Sequence, residues 1–178
     1  MFELINRMEN YSGPIFTAYT DKIKMPDGSV IKRDVIEKRH KASAVIAVKE
    51  NGNVVLVRQY RRSADGEILE IPAGVIDEGE TELECAEREL EEEAGLKAGK
   101  MEFMFQFYTS VGFCDEVVNI FLASELTPGV QNFDEDESLV LEEYLIDEAI
   151  EMIFDGRIVD SKTISALLGY RVYKEKLR

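Results

Sequence analysis

Residues 74–96, GVIDEGETELECAERELEEEAGL, contain ten acidic residues among 23, and Arg88 is the only basic residue in this stretch. The pattern predicts a helix over about residues 81–94. Carboxylates at i and i+4 on a helix face destabilise it by about 0.2–0.5 kcal/mol per pair. So much like charge in one helix indicates either a fully solvated face or a compensating positive partner.

The helical repeat of about 100° per residue separates the apolar from the acidic side chains. Glu89 and Glu93 lie one turn apart beside the apolar stripe, and Arg88 lies on the outer side within reach of Glu84 and Glu92. At the rim of a core, where water is partly excluded, the repulsion is stronger, and a hard divalent cation would remove it. Glu-rich helices are also common as solvated surfaces, so composition alone leaves both interpretations open. The predicted buried stripe consists of Leu83, Ala86, Leu90 and Ala94.

The spacing of the fixed residues favours the cation. Gly74 is followed after five residues by Glu80, and seven residues later come Arg88-Glu89-Leu90, Glu92-Glu93 and Gly95-Leu96. This pattern resembles the Nudix box at all nine of its defined positions. Such a match is far more specific than a short glycine motif.

The resemblance implies a fold, a reaction and a set of residues. The fold is α+β, the Nudix αβα sandwich around a mixed β-sheet, and the reaction is hydrolysis of a nucleoside diphosphate linked to another group, with magnesium or manganese as cofactor. Glu89, Glu93 and Glu92 would be metal ligands, together with the carbonyl of Ala73. Arg88 would orient the glutamates. The resemblance thus implies that Arg88 and Glu92 are catalytic residues.

Sequence outside the box resembles the branch that acts on ADP-ribose and related nucleoside diphosphate sugars. The matching segments are Gln59-Tyr60-Arg61 and residues 67–74, EILEIPAG. By this resemblance Arg61 contacts the substrate, Glu70 lies near the metals and is a further metal-binding residue, and Arg33 is a further substrate-binding residue.

The chain after the box extends the resemblance over roughly residues 30–170. Gly112 and Glu116 are predicted to bind substrate. The acidic loop of residues 127–138 would supply the catalytic base, Glu135, with Glu137 as the alternative. ADP-ribose enzymes usually carry a proline where this chain has Val111, so the preferred sugar and base stay open.

The predicted activity is therefore metal-dependent hydrolysis of ADP-ribose to AMP and ribose 5-phosphate. One alternative is a hydrolase for another nucleoside diphosphate sugar, such as GDP-mannose, or for a broad set of them. A second alternative is a non-catalytic nucleotide-binding regulator on the same fold, which would be expected to have lost glutamates of the box.

Composition excludes several other classes of protein. The formal charge of −15 over 178 residues argues against nucleic acid or an anionic membrane as the partner. No apolar run reaches the length of a membrane span, and the N-terminus lacks the apolar region of a secretion signal. Cys85 and Cys114 form no metal or disulfide motif, which favours a reduced cytoplasmic setting.

The order of predicted elements is strands, one helix, more strands and two closing helices, typical of an α+β domain. Residues 1–40 are predicted to be an N-terminal antiparallel β-strand region, and residues 41–178 the hydrolase domain. In the resembled branch such N-terminal strands often pair two subunits, so a homodimer is expected. The predicted strands are 13–25, 29–39, 42–48, 53–60, 66–71, 101–111, 117–126 and 139–146, and the closing helices are 147–154 and 161–177.

Overall fold

A computed structural model describes residues 1–132 and 139–176 of the chain. Its strands are β1 (Glu3–Ser12), β2 (Phe16–Lys24), β3 (Val30–Lys38), β4 (Ala42–Val48), β5 (Asn53–Arg61), β6 (Gly66–Glu70), β7 (Ala73–Val75), β8 (Leu96–Tyr108), β9 (Val117–Pro128) and β10 (Val140–Leu145). Its helices are α1 (Glu82–Ala94), α2 (Ile146–Phe154) and α3 (Ser161–Lys176). The chain divides into two compact units, one formed by residues 1–41 and 107–117, the other by 42–106 and 118–178.

The larger unit is built on a mixed sheet with the strand order β10-β5-β4-β9-β8, in which β6 pairs with β5 and β7 pairs with β4. Strand β4 runs parallel to β9 and antiparallel to β5 and β7. Since neighbouring side chains alternate between the two faces of a strand, Val45 and Ala47 face α1, whereas Ala44 and Ile46 point the other way. Helix α3 also packs on β4 and contacts α2. The predicted α+β sandwich around a mixed sheet is confirmed.

Helix α1 begins and ends where its sequence indicates. Thr81 is the N-cap, and its hydroxyl and the carboxylate of Glu84 exchange hydrogen bonds with each other's backbone N–H groups in a capping box. Gly95 ends the helix with a left-handed φ of 60°, a conformation that glycine adopts without a Cβ penalty. The hydroxyl of Ser43 on β4 donates to the Glu82 carbonyl at 2.8 Å, which fixes the first turn of the helix to the sheet.

The smaller unit holds the antiparallel sheet β1-β2-β3. Arg7 joins its three strands, because Nε donates to Asp21 Oδ1 at 2.8 Å and Nη1 donates to Glu37 Oε1 at 2.6 Å. Residues 107–117 join β3 through the Ile36 N–H, which donates to the Phe113 carbonyl at 2.7 Å. The turn between β2 and β3 contains Gly28 at a φ of 87°.

The structure corrects three expectations about these elements. Strand β1 is absent from the predicted strands. Strand β8 begins at Leu96 and ends at Tyr108, because the Ser110 carbonyl accepts hydrogen bonds from Phe113 and Cys114 and closes a turn there. Leu83 is 42% exposed rather than buried, and Cys85 is buried instead, with its sulfur against the carbonyls of residues 74 and 75.

No helix in residues 1–132 and 139–176 is long and apolar enough to cross a membrane.

Candidate active site

The site centres on the contact between strand β7 and helix α1. A Cβ built on Gly74 would lie only 1.8 Å from Oε1 of Glu89 and 2.7 Å from Oε2. The carboxylate of Glu89 therefore lies directly over the backbone of Gly74. Only a residue without a side chain permits this approach, which explains why the box has glycine at this position.

Glu89 and Glu93 are buried, with 9% and 4% of their surface exposed. The Ala73 N–H donates to Oε2 of Glu93 at 2.9 Å, so β7 fixes this carboxylate as well. Ionised carboxylates are seldom buried unless a hydrogen-bonded or charged partner compensates them. Their predicted position at the rim of the core agrees with the structure.

Arg88 connects the acidic residues around this contact. Its Nε donates to Glu80 Oε1 at 2.8 Å, and its Nη1 donates to Glu89 Oε1 at 2.6 Å and to Glu92 Oε2 at 3.0 Å. The hydrogen bond to Glu80, followed by those to Glu92 and Glu89, raises the pKa of Arg88 although burial opposes the shift. Arg88 does not pair with Glu84 as the helical repeat predicted, because that carboxylate is committed to the N-cap.

Glu70, at the end of β6, is 3% exposed and forms a bidentate pair with Arg61. The two hydrogen bonds measure 2.9 Å from Nε to Oε1 and 2.8 Å from Nη2 to Oε2. Burial alone would raise the pKa of Glu70, but the hydrogen bonds and charges of Arg61 and Lys162 together lower it below its ordinary value. Glu70 is therefore held as a carboxylate at neutral pH.

Lys162 was not recognised as a site residue from the sequence. It lies in the first turn of α3, and its ammonium donates to Oε2 of Glu70, 92 residues away along the chain. The predicted helix over residues 161–177 contains Lys162 but does not indicate a role for it. The Asp160 carboxylate accepts a hydrogen bond from the Thr163 N–H at 2.9 Å and caps this helix.

Cys85 lies beneath the same contact between β7 and α1. Burial, and then the charges of Glu89 and Glu80, raise the pKa of its thiol to about 12. Since the thiolate is the reactive form of cysteine, Cys85 acts as a small core residue at neutral pH and not as a nucleophile.

Three predicted substrate-binding residues belong to the smaller unit. Arg33 on β3 is exposed and donates to the carbonyl of Lys32 at 2.9 Å. Gly112 lies in the turn that follows β8. Glu116 accepts a hydrogen bond from Thr109 at 2.8 Å and pairs with Lys38 at 2.9 Å. Their roles in binding stay predictions.

Glu135 and Glu137 lie outside the described residues. The segment just before them is anchored to the end of α1. Gly129 N–H donates to the Gly95 carbonyl at 2.7 Å, the Gln131 side-chain amide to the Glu93 carbonyl at 3.0 Å, and Asn132 N–H to the Glu92 carbonyl at 3.1 Å. Residues 129–132 therefore lie at the end of the helix that carries the box glutamates.

The donor atoms of this site suit a hard cation. In the described part of the chain no three His, Cys, Asp or Glu side chains converge as a finished metal cage. However, Glu89, Glu92 and Glu93 offer only oxygen atoms, and Gly74 lets the backbone approach them closely. Arg88 now neutralises Glu89 and Glu92, so a divalent cation would share those carboxylates with it. The residues thus fit a magnesium-type ion.

Comparison with known proteins gives matches over most of the chain. A family model described as the NUDIX domain matches residues 38–167. An ADP-ribose pyrophosphatase of Bacillus subtilis (strain 168) is 36% identical over 176 residues, which cover 98% of this chain and 94% of that protein. A methanol dehydrogenase activator of Bacillus methanolicus is 39% identical over 160 residues, 88% of this chain and 85% of that protein.

Two further matches concern substrate class and fold. A GDP-mannose pyrophosphatase of Yersinia pestis (strain Pestoides F) is 34% identical over 161 residues, 84% of this chain and 80% of that protein. The crystal structure of an ADP compounds hydrolase superposes with a TM-score of 0.90 at 21% identity, covering 99% of this chain and 95% of that one. At this level of identity the structural match shows a common fold.

Proposed function

Because this chain belongs to the NUDIX domain family, we propose that it is an enzyme that hydrolyses the diphosphate linkage of ADP-ribose to AMP and ribose 5-phosphate. The observation that carries this proposal is the pair of buried carboxylates, Glu89 and Glu93, held against the backbone of residues 73 and 74. The B. subtilis ADP-ribose pyrophosphatase supports the choice of substrate, since the similarity to it spans almost the whole chain.

Nudix hydrolases depend on a divalent metal. We assign Glu89, Glu93 and Glu92, with the carbonyl of Ala73, as the residues that would hold magnesium or manganese, and Glu70 as a further acidic residue of the site. When bound, such an ion neutralises diphosphate charge and lowers the pKa of a coordinated water.

The chain's own residues supply the remaining chemistry. A diphosphate approaching a protein with a formal charge of −15 needs local positive charge, and Arg61 at the end of β5 provides it. Arg88 keeps Glu80, Glu89 and Glu92 in fixed orientations through its hydrogen bonds. Arg33, Gly112 and Glu116 are assigned to substrate binding by the family pattern.

Glu135 is proposed as the general base, with Glu137 as the alternative. The base takes a proton from the water that attacks one phosphorus, the bond from that phosphorus to the bridging oxygen breaks, and the two monophosphates leave. Glu135→Gln is expected to lower kcat by about 10²–10⁴-fold, the usual contribution of a positioned base, with little change in metal affinity. Stopped-time assays would measure kcat, and manganese titration would measure metal affinity. A change in metal affinity without a change in kcat would identify Glu135 as a metal ligand and not as the base.

A substrate panel tests the proposed activity. Purified protein with magnesium would be offered ADP-ribose, GDP-mannose and UDP-glucose, with released monophosphates measured by chromatography. We expect the highest kcat/KM on ADP-ribose. A preference for GDP-mannose would favour the alternative that the Yersinia relative represents, and no turnover on any of the three would favour a non-catalytic regulator. Glu89, Glu92 and Glu93 of the box are all present, which supports an enzyme.

We also propose a homodimer formed through the smaller unit. All ten residues of β1 are exposed, and its large apolar side chains include Leu4, Ile5 and Met8, each more than half exposed. Apolar patches of this kind mark interaction surfaces. Sedimentation at micromolar concentration is expected to give twice the mass of the chain, and a stable monomer would refute the dimer.

The cytoplasm is our proposed location, supported by the two free cysteines.

A further inference from the structure

The carboxylate of Glu70 has two cationic partners of different accessibility. The guanidinium of Arg61 pairs with both carboxylate oxygens, and the Arg61 side chain is 39% exposed. The ammonium of Lys162 contacts Oε2, and the Lys162 side chain is only 16% exposed. Of the two cations, Arg61 is the one that a ligand in solvent can reach.

Lys162 is held in place by the first turn of α3. Its Nζ lies 3.1 Å from Oδ2 of Asp160. The hydroxyl of Thr163, which is fully buried, donates to the same Asp160 oxygen at 2.6 Å and accepts from the Ile71 N–H at 2.9 Å. The turn that carries Lys162 is thus bonded to the residue that follows Glu70, so Lys162 has little freedom to leave.

The four charged groups balance each other. Arg61 and Lys162 contribute two positive charges, and Glu70 and Asp160 contribute two negative charges. If Arg61 turned away toward a diphosphate, Glu70 would still have Lys162 as a fixed partner. Without Lys162, Glu70 would lose its only other cation among these groups and become a buried, uncompensated carboxylate, which is strongly unfavourable.

We propose that Lys162 is a positioning residue that keeps Glu70 charge-paired, so that Arg61 is free to move from Glu70 to the diphosphate of the substrate. This inference rests on the proposed function, because it requires Arg61 to meet a nucleoside diphosphate sugar. This role gives a reason for the contact between Lys162 in α3 and Glu70 in β6, which are 92 residues apart along the chain.

The test compares wild-type protein with the Lys162→Met variant. Binding of ADP-ribose is measured by calorimetry in EDTA, and KM and kcat are measured with magnesium. We expect Lys162→Met to weaken binding and to raise KM by about tenfold or more, because Arg61 then stays on Glu70, while kcat changes little. Lys162→Arg should restore most of the binding. If Lys162→Met fails to fold, Lys162→Gln, which keeps a hydrogen-bond donor without the charge, takes its place.

Two further variants separate this role from a structural one. In a Glu70→Gln background the charge that retains Arg61 is gone, so adding Lys162→Met should change ADP-ribose binding in EDTA much less than it does in the wild type. Lys49→Met, which breaks the ion pair with Glu143 elsewhere in the same unit, should leave binding and KM unchanged.

The outcomes distinguish this inference from the proposed function. Folded Lys162→Met protein that binds ADP-ribose with wild-type affinity and shows an unchanged KM would overturn the role of Lys162 alone. Equal effects of Lys162→Met in the wild-type and Glu70→Gln backgrounds would also overturn it. A wild-type protein that neither binds nor hydrolyses ADP-ribose would overturn the proposed function, and this inference with it.

Discussion

Glu93→Gln is expected to fold like the wild type and to lose turnover by at least ~100-fold, a loss of about 2.7 kcal/mol of transition-state stabilisation. The glutamine amide has nearly the same shape as the carboxylate, and its oxygen can still accept the 2.9 Å hydrogen bond from the Ala73 N–H. What it lacks is the negative charge that the proposed metal site requires.

The matched control is Glu87→Gln on the same helix. Glu87 is exposed in the middle of α1, so its substitution removes the same charge from the helix without touching the site. Steady-state assays at saturating magnesium, with thermal melting as the check on folding, would measure both variants. Near-normal turnover of Glu93→Gln under these conditions would remove Glu93 from the site.

Gly74→Ala is expected to reduce turnover by about 100-fold or more while the protein remains folded. The added Cβ would stand 1.8 Å from Oε1 of Glu89, so the carboxylate has to move away from the backbone of β7. Displacing a group of the active site by about 1 Å can cost about 10²-fold in rate. Because the clashing atoms are the end of a side chain, the cost in stability should stay within the roughly 1–3 kcal/mol of overpacking.

Gly66→Ala is the control for this substitution. A Cβ at Gly66 would meet only the Ala64 carbonyl at 3.9 Å, an ordinary van der Waals contact. Gly66→Ala should therefore keep the turnover and the thermal stability of the wild type. A loss of turnover in Gly74→Ala alone would then come from the displaced Glu89 and not from the loss of a glycine as such. Gly74→Ala protein with wild-type kcat/KM would show that the close approach of Glu89 to Gly74 has no part in the reaction.

The local parts of the site could be predicted from the sequence. The extent of α1 and the position of Glu89 and Glu93 at the edge of the core depend on residues within one helix. Arg88 was also expected to orient glutamates, but its pairing with Glu80 rather than Glu84 depends on how residues 75–80 fold back along the helix. Local periodicity carries no information about that path.

The parts that could not be predicted depend on contacts between distant segments. In β1 the apolar residues Leu4, Ile5 and Met8 do not alternate with polar ones, so no strand pattern is visible. The strand forms because it pairs with β2, and Arg7 ties it to both neighbouring strands. Lys162 has no local signal either, since its partner Glu70 is brought to it only by the packing of α3 on the sheet.

A crystal structure of the protein with magnesium and a nonhydrolysable ADP-ribose analogue would test the central claim most directly. We expect an ion about 2.1 Å from carboxylate oxygens of Glu89 and Glu93, in contact with the diphosphate. A well-ordered analogue with both side chains turned into solvent and no ion between them would contradict it.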